Sequence, residues 1–194
     1  MINSKTLLLI TSLGLSLAIS GCSDLISAGH EQPIQEDPGN RTYGSYIDDE
    51  VVETLSMVNL NKGSENMEAS NISVTSFNGI VLLTGQAPNE MARQEAEQIV
   101  SQVRKVKKIH NEIKISGISS TLARTNDTWL TTKVKAELLT NEAVEGSRIK
   151  VVTDSSTVYL MGLVSPQESD IAINIVRGIP GVEKIVKVFE YVNR

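Results

Sequence analysis

The chain has 194 residues, a formal net charge of -5, one cysteine and two histidines. The acidic balance argues against a nucleic-acid binder, which normally carries a basic excess. One cysteine excludes an intramolecular disulfide, and His30 and His110 are too few for a His-centred triad or a multi-histidine metal site. We therefore expect a protein that is not an enzyme and that holds neither a metal nor a cofactor.

The N-terminal residues 1–21 resemble a bacterial lipoprotein signal peptide. An apolar stretch, Leu7–Ile19, is followed by Ser-Gly and then by Cys22. In such signals the cysteine thiol receives diacylglycerol, so the mature protein would begin at Cys22. The stretch is too short for a transmembrane helix, which needs about 20 apolar residues. The alternative is an ordinary secretory signal followed by an incidental buried cysteine.

The residue after the cysteine bears on which membrane carries the anchor. In lipoproteins of cells with two membranes, an aspartate at that position implies retention in the inner membrane. This chain has Ser23 there and places Asp24 one step later. The resemblance therefore implies a lipid anchor in the outer membrane, facing the periplasm. Residues 22–46 are polar and show almost no apolar periodicity, so we predict a flexible tether there.

The remainder of the chain is a duplication, and a repeat determines the architecture. Ile72–Thr75 recurs as Ile149–Val152, and Ile80–Gly85 recurs as Thr157–Gly162. Each unit begins with a helical pattern and continues with two alternating runs joined by a polar turn. A second helix and a final strand follow. The predicted order is αββαβ in both units.

This repeat predicts an α+β fold with two domains, residues 47–116 and 125–194, joined by a linker at 117–124. Each domain would be a small three-stranded mixed sheet packed against two helices. Because each unit repeats a complete set of apolar faces, we expect two separate cores. Gly85 and Gly162 end the hairpins without a GxGxxG or GK[ST] pattern, so we interpret them as structural glycines rather than as a phosphate loop.

The first helix of each unit carries apolar residues at spacings that place one stripe against a core. We expect this stripe to be Val51, Val52, Leu55 and Val58 in the first unit and Leu130, Val134 and Leu138 in the second. The first-unit helix should then have no second apolar face. Acidic pairs such as Asp48 and Asp49 are expected to face solvent.

The second unit leaves an additional face on its first helix. If residues from Trp129 to Thr140 are helical, the single tryptophan lies on a different side from the core stripe. Tryptophan favours the membrane interface, and lysines near an anionic surface contribute about 1 kcal/mol each. The alternative is that Trp129 packs against the first unit or its own sheet. The predicted phospholipid-binding set is Trp129, Leu130, Thr132, Lys133, Lys135, Ala136 and Leu139.

Both hairpins end in an apolar-Gly step, Leu83-Thr84-Gly85 and Leu160-Met161-Gly162, and both units close on a Val-x-x-Ile strand. These features resemble tandem BON domains. With Cys22 in front, the chain resembles the dual BON-domain outer-membrane lipoproteins over essentially its full length. The resemblance implies binding of anionic phospholipid such as phosphatidylglycerol, placement at division sites and support of outer-membrane integrity. The alternative is an adaptor that binds an outer-membrane protein of the assembly or cell-wall remodelling machinery.

Overall fold

The computed structural model describes residues 37–117 and 121–193, and at 121 and 122 it describes the backbone alone. The predicted signal peptide, Cys22 and most of the predicted tether lie outside the described residues. From Pro38 onward the chain forms one compact unit. None of the helices in the described ranges is both long enough and apolar enough to cross a bilayer.

The first half of this unit follows the predicted order with two differences. Its elements are α1 (Tyr43–Leu60), α2 (Glu65–Glu68), β1 (Asn71–Phe77), β2 (Ile80–Ala87), α3 (Glu90–Ser101), β3 (Lys108–Asn111) and β4 (Lys114–Ile115). The short helix α2 was not predicted, and the final strand is divided in two. The division follows from Asn111, whose side-chain oxygen accepts a hydrogen bond from the N–H of Ile113 at 3.3 Å and turns the backbone.

The second half has the predicted order without such an interruption. Its elements are α4 (Thr121–Thr140), a 3-10 turn (Gly146–Arg148), β5 (Lys150–Asp154), β6 (Thr157–Val164), α5 (Pro166–Arg177) and β7 (Lys184–Tyr191). The predicted capping box of α5 is confirmed, because Ser165 and Glu168 each accept the other's backbone N–H. Helix α4 begins at Thr121, so residues 121–124 are helical rather than part of a linker.

Each half forms a mixed sheet with the second hairpin strand at its centre. Strand β2 pairs antiparallel with β1 and parallel with β3 and β4. Strand β6 pairs antiparallel with β5 and parallel with β7. The predicted α+β class with two small mixed sheets is therefore confirmed.

A carboxylate from the first helix clamps the hairpin turn in each half. The central turn residues, Asn78–Gly79 and Ser155–Ser156, have positive φ, as two-residue hairpins require. Asp49 accepts hydrogen bonds from both N–H groups of the first turn, at 2.8 and 2.9 Å, and Asp127 does the same in the second turn at the same distances. The prediction that Asp49 faces solvent was wrong, since these buried N–H groups require an acceptor.

The last residues of the predicted tether belong to the fold. Arg41 donates a hydrogen bond to the Asp49 carboxylate at 2.8 Å, and its guanidinium carbon lies 4.0 Å from the centroid of the Phe77 ring. Thr42 caps α1 by accepting a hydrogen bond from the N–H of Ser45. The folded part therefore begins several residues before the predicted boundary at residue 46.

Helix α1 also turns a different side to the core than we predicted. Its buried residues are Asp49, Val52, Ser56 and Leu60. Its exposed residues include Val51, Leu55 and Val58. The rotation follows from the clamp, because the Asp49 carboxylate can reach the turn only if Asp49 and Val52 face inward. The expectation that α1 has no second apolar face was therefore wrong.

Three apolar clusters stabilise the unit. One lies between the first sheet and helices α1 and α3, and a second lies between the second sheet and helices α4 and α5. The third joins the two halves through their sheets and consists of Phe77, Leu82, Tyr159, Met161, Leu163 and Val188. Each domain thus has its own core, as expected, but the outer face of each sheet is covered by the other domain.

Polar contacts surround this shared cluster and orient one domain on the other. Lys150 Nζ lies 2.9 Å from Glu53 Oε1 and donates a second hydrogen bond to the Ser76 carbonyl. The Asn78 amide donates to the Glu190 carboxylate at 2.7 Å. Because these bonds cross between the domains, they select one arrangement of the two sheets.

Leu82 and Leu83 test the shared cluster, because they are adjacent on β2, fully buried and directed to opposite faces. Alanine at either position should cost about 2 to 5 kcal/mol. Leu82→Ala should also loosen the second domain, since its side chain contacts that domain. Amide hydrogen exchange in β6 and β7 should accelerate in Leu82→Ala and much less in Leu83→Ala. Equal acceleration in the two variants would contradict the shared cluster.

The clamp makes Asp49 sensitive to pH. Burial opposes its ionisation, but hydrogen bonds from Ser76, Gly79, Asn78 and Arg41 outweigh burial and hold the pKa of this carboxyl below its ordinary value. A lowered folded-state pKa stabilises the fold above the unfolded-state pKa of about 3.9. That contribution is lost as the pH falls through the folded-state value.

We expect Asp49→Asn to lower the free energy of unfolding at neutral pH, and its difference from the unsubstituted protein to shrink as the pH falls below about 4. Urea unfolding at a series of pH values from neutral to below about 4 measures the free energy of unfolding of both proteins and the difference between them. Asp48→Asn is the matched control, because Asp48 is on the surface and pairs with Lys105 at 3.1 Å. Such a surface pair is worth at most about 1 kcal/mol. A difference for Asp49→Asn that stays constant down to acid pH would contradict the role of its charge.

Candidate functional site

Helix α4 carries the predicted lipid-binding residues along its exposed side. Its inner side is held by Leu130, Val134 and Leu138, which are buried in the second core, and by the Asp127 clamp. Since successive residues are about 100° apart, these contacts leave a defined arc of the helix in solvent. The predicted residues on that arc are, in order, Lys135, Leu139, Thr132, Ala136, Trp129 and Lys133, and the exposed Glu137 follows next to Lys133.

This arc has an apolar centre with a lysine on each edge. Trp129 is 54% exposed, Leu139 is 61% exposed, and Ala136 is exposed between them. Lys133 Nζ lies 5.1 Å from the centroid of the Trp129 ring, a cation–π contact that orients both groups. Lys135 is exposed on the opposite edge. The face can bury apolar groups at an acyl boundary while two ammonium groups meet phosphates.

Two of the predicted residues do not serve this face as expected. Leu130 is 0% exposed, so including it among the lipid-binding residues was wrong, because it belongs to the core stripe. Thr132 is exposed, but its hydroxyl donates to the Thr128 carbonyl at 3.0 Å within the helix. Trp129 is 54% exposed and belongs to none of the three apolar clusters, so its ring does not pack into a core.

The end of α4 borders the first domain. Lys135 and Leu139 line a cleft of about 350 Å³ together with Tyr46 and Glu50 of α1. The exposed sides of α1 and α4 therefore adjoin at this cleft.

The two predicted structural glycines lie where hairpin strands approach closely. At Gly85 the backbone has φ +111°, and a Cβ atom would collide with the carbonyl oxygen of Asn71. At Gly162 a Cβ atom would lie 3.0 Å from the carbonyl oxygen of Arg148, with φ outside the left-handed region. Replacing glycine by a residue with a Cβ atom is therefore more unfavourable at Gly85 than at Gly162.

Of the remaining titratable groups with shifted pKa values, Glu95 lies on α3, where hydrogen bonds from Ser64 lower the pKa of its carboxyl, and His110 and Tyr159 lie in the sheets. Burial and the nearby Lys108 lower the pKa of His110, and Glu112 partly opposes them. Burial, with Glu112 and Asp154, raises the pKa of Tyr159 in the shared cluster. Within the described residues no three His, Cys, Asp or Glu side chains are grouped to hold a metal ion. Packing of the sheets explains the pKa shifts of His110 and Tyr159.

Sequence reasoning missed an exposed apolar stripe on α1. Its members, the α1 stripe, are Tyr43, Ile47, Val51, Leu55 and Val58. Asp49 and Asp127 clamp equivalent turns. When the sequences of the two domains are aligned on these aspartates, Val51 is equivalent to Trp129. That alignment could have revealed the stripe from the sequence. Apolar residues occur on so many sides of α1 that periodicity alone does not show which side is buried.

The chain is a tandem two-domain protein of the α+β class. Each domain has a hairpin turn clamped by an aspartate and a first helix with one side exposed to solvent. A family model described as the BON domain matches residues 48–117 and again residues 126–193. The chain therefore belongs to the BON-domain family and carries two copies of the domain.

Three relatives match most of the chain. It is 37% identical over 163 residues to the 21 kDa hemolysin of Actinobacillus pleuropneumoniae, and the aligned region covers 84% of this chain and 82% of that protein. It is 30% identical over 181 residues to outer membrane lipoprotein DolP of Haemophilus influenzae, covering 93% and 94%. It is 26% identical over 145 residues to osmotically-inducible protein Y of Escherichia coli, covering 73% and 72%. The match to DolP over nearly both full lengths supports the dual BON-domain family.

Proposed function

We propose that this protein is a lipid-anchored lipoprotein of the outer membrane, facing the periplasm, and that its second BON domain binds anionic phospholipid. In this role it supports outer-membrane integrity, including at division sites. The observation that carries the proposal is the exposed ridge of Trp129 and Leu139 on α4 with Lys133 and Lys135 on its edges. Similarity to an outer membrane lipoprotein supports the location. Catalysis is no part of the proposed role.

The binding free energies expected from the anchor and from the α4 face differ, and this difference indicates separate roles for them. Two lysines near an anionic surface contribute about 2 kcal/mol together, and a partly inserted indole adds apolar burial at about 25 cal/mol per Å². Acyl chains on Cys22 would contribute about 0.8 kcal/mol for each buried methylene, which is far larger. The anchor thus provides attachment. The α4 face provides preference for anionic lipid, at a local concentration that the tether raises.

Trp129→Ala should weaken binding to phosphatidylglycerol vesicles, because it removes the apolar centre of the face. It should cost less stability than the 3 to 5 kcal/mol or so that a fully buried aromatic costs, since the ring is half exposed. Lys133→Glu should weaken binding further, most at low salt, because salt screens the phosphate contact. Vesicle co-sedimentation of the unlipidated chain from Ser23, with thermal unfolding alongside, measures both effects.

Met91→Ala is the matched control for these variants, because Met91 is an exposed apolar residue on α3. It should leave vesicle binding unchanged. The fluorescence of the single tryptophan should shift to the blue with phosphatidylglycerol vesicles and not with neutral ones. An unchanged spectrum, with equal binding by Trp129→Ala and Met91→Ala, would remove α4 as the lipid-binding face.

Replacing Cys22 tests the proposed anchor separately. Cys22→Ala should abolish lipidation and release the protein from the outer membrane, because the α4 contact is too weak to hold it alone. Membrane fractionation with labelled palmitate measures attachment and acylation together. Recovery of the variant in the outer membrane at the unsubstituted level would show that another segment attaches the chain.

A further inference from the structure

In the part of the chain that the structure describes, no element covers the α1 stripe, which is an apolar surface of the first domain. From Tyr43 to Val58 it extends for about 22 Å along the helix, and its exposed fractions range from 92% at Tyr43 to 43% at Val58. Soluble domains rarely expose contiguous apolar surface of this kind without using it for interaction. The stripe lies on the side of α1 opposite the Asp49 clamp, so it cannot turn inward without breaking the hairpin turn.

Carboxylates border the α1 stripe on both edges. With about 100° per residue, Glu50 lies on one edge and Asp48 on the other. Asp48 pairs with Lys105 at 3.1 Å, whereas Glu50 is exposed. Helix α1 contains no lysine or arginine. The surface therefore combines an apolar centre with Glu50 on one edge, at the cleft that Lys135 also lines, and the Asp48–Lys105 ion pair on the other.

The duplication provides an internal reference for this charge pattern. When the two clamp aspartates are aligned, Leu55 takes the place of Lys133, and Met57 takes the place of Lys135. The same position in the fold thus carries lysines on α4 and none on α1. Helices that lie on anionic bilayers normally present lysine and arginine on their polar side. Helix α1 lacks this feature, and Glu50 on the edge of its stripe would be repelled by lipid phosphates.

We propose that the α1 stripe docks a protein partner that presents an apolar ridge with lysine or arginine on its edges, one of them opposite Glu50. We choose a basic partner because its positive charge would complement the carboxylate of Glu50. Tyr43, at one end of the stripe, fits a protein partner, because tyrosine is enriched at protein interfaces. Two copies docked α1 to α1 do not fit, because Glu50 would meet like charge; a second copy docked through its α4 face would present Lys133 and Lys135, and the mass of the crosslinked adduct distinguishes it from another protein. The inference does not depend on lipid binding by α4.

Site-specific photo-crosslinking of the full lipidated chain in cells tests the proposal. Benzoylphenylalanine placed at position 47 or 55 should give a discrete protein adduct, because both side chains lie on the α1 stripe. The same probe at position 91 is the control, since Met91 is exposed on α3. Sequencing of the crosslinked peptide should show apolar residues interspersed with lysine or arginine.

Charge reversal at Glu50 gives the deciding measurement. Glu50→Lys should reduce the adduct by about tenfold, equivalent to about 1.4 kcal/mol, whereas Glu68→Lys on α2 should leave it unchanged. Glu68 is exposed on a different helix, so this variant makes the same charge change away from the α1 stripe. An adduct that is insensitive to Glu50→Lys would overturn the proposal even if a protein is captured.

Other occupants give distinct results. An adduct of twice the chain mass would indicate a second copy, and crosslinks to lipid alone would indicate a membrane contact; either would overturn the proposal. Val51→Ser should leave binding to phosphatidylglycerol vesicles intact. A loss of vesicle binding as large as that expected for Trp129→Ala would also overturn the proposal of protein docking. Because the vesicle and crosslinking measurements are separate, failure of lipid binding by α4 remains distinguishable from failure of protein docking by α1.

Discussion

The central strands β2 and β6 are buried on both faces, and this constraint organises the molecule. Each domain supplies two packed helices to one face of its sheet, so the other face needs a different cover. The two domains provide it for each other through Leu82, Tyr159 and Met161. Exposing these side chains to water would cost about 1.5 to 3 kcal/mol each. The sheets therefore face each other, and among the described residues the outer sides of α1 and α4 lie in solvent.

The clamp aspartates connect the hairpins to those free sides. The buried or partly buried N–H groups of these turns need acceptors, and Asp49 and Asp127 supply them from the first helix of each domain. A carboxylate fixed in this way sets the rotation of its helix. The residues two positions later, Val51 and Trp129, are consequently exposed at nearly equal fractions, 49% and 54%. Duplication of the clamp thus duplicates an outward-facing helix side.

Charge gives these two equivalent sides different chemistry. The α4 side places Lys133 and Lys135 around Trp129, which suits a surface of phosphates over an acyl layer. The α1 side places Glu50 beside apolar residues and suits a basic protein segment. Retaining the clamp and the core while changing the outer residues of one helix allows such divergence.

The sequence by itself determined the features that depend on local pattern: the duplication, the αββαβ order, the hairpin turns, the cap at Ser165, and the separation of Trp129 from the core stripe of α4. These follow from neighbouring residues, because turns, caps and a clear helical period need no distant partner. The tertiary structure decided the rotation of α1, the inclusion of Arg41 in the fold and the pairing of the two sheets. Periodicity could not choose a buried side on α1, where apolar residues lie on several sides. The acceptor role of Asp49 depends on a turn about thirty residues later in the chain, and the continuous burial along β6 required a covering surface that only the other domain supplies.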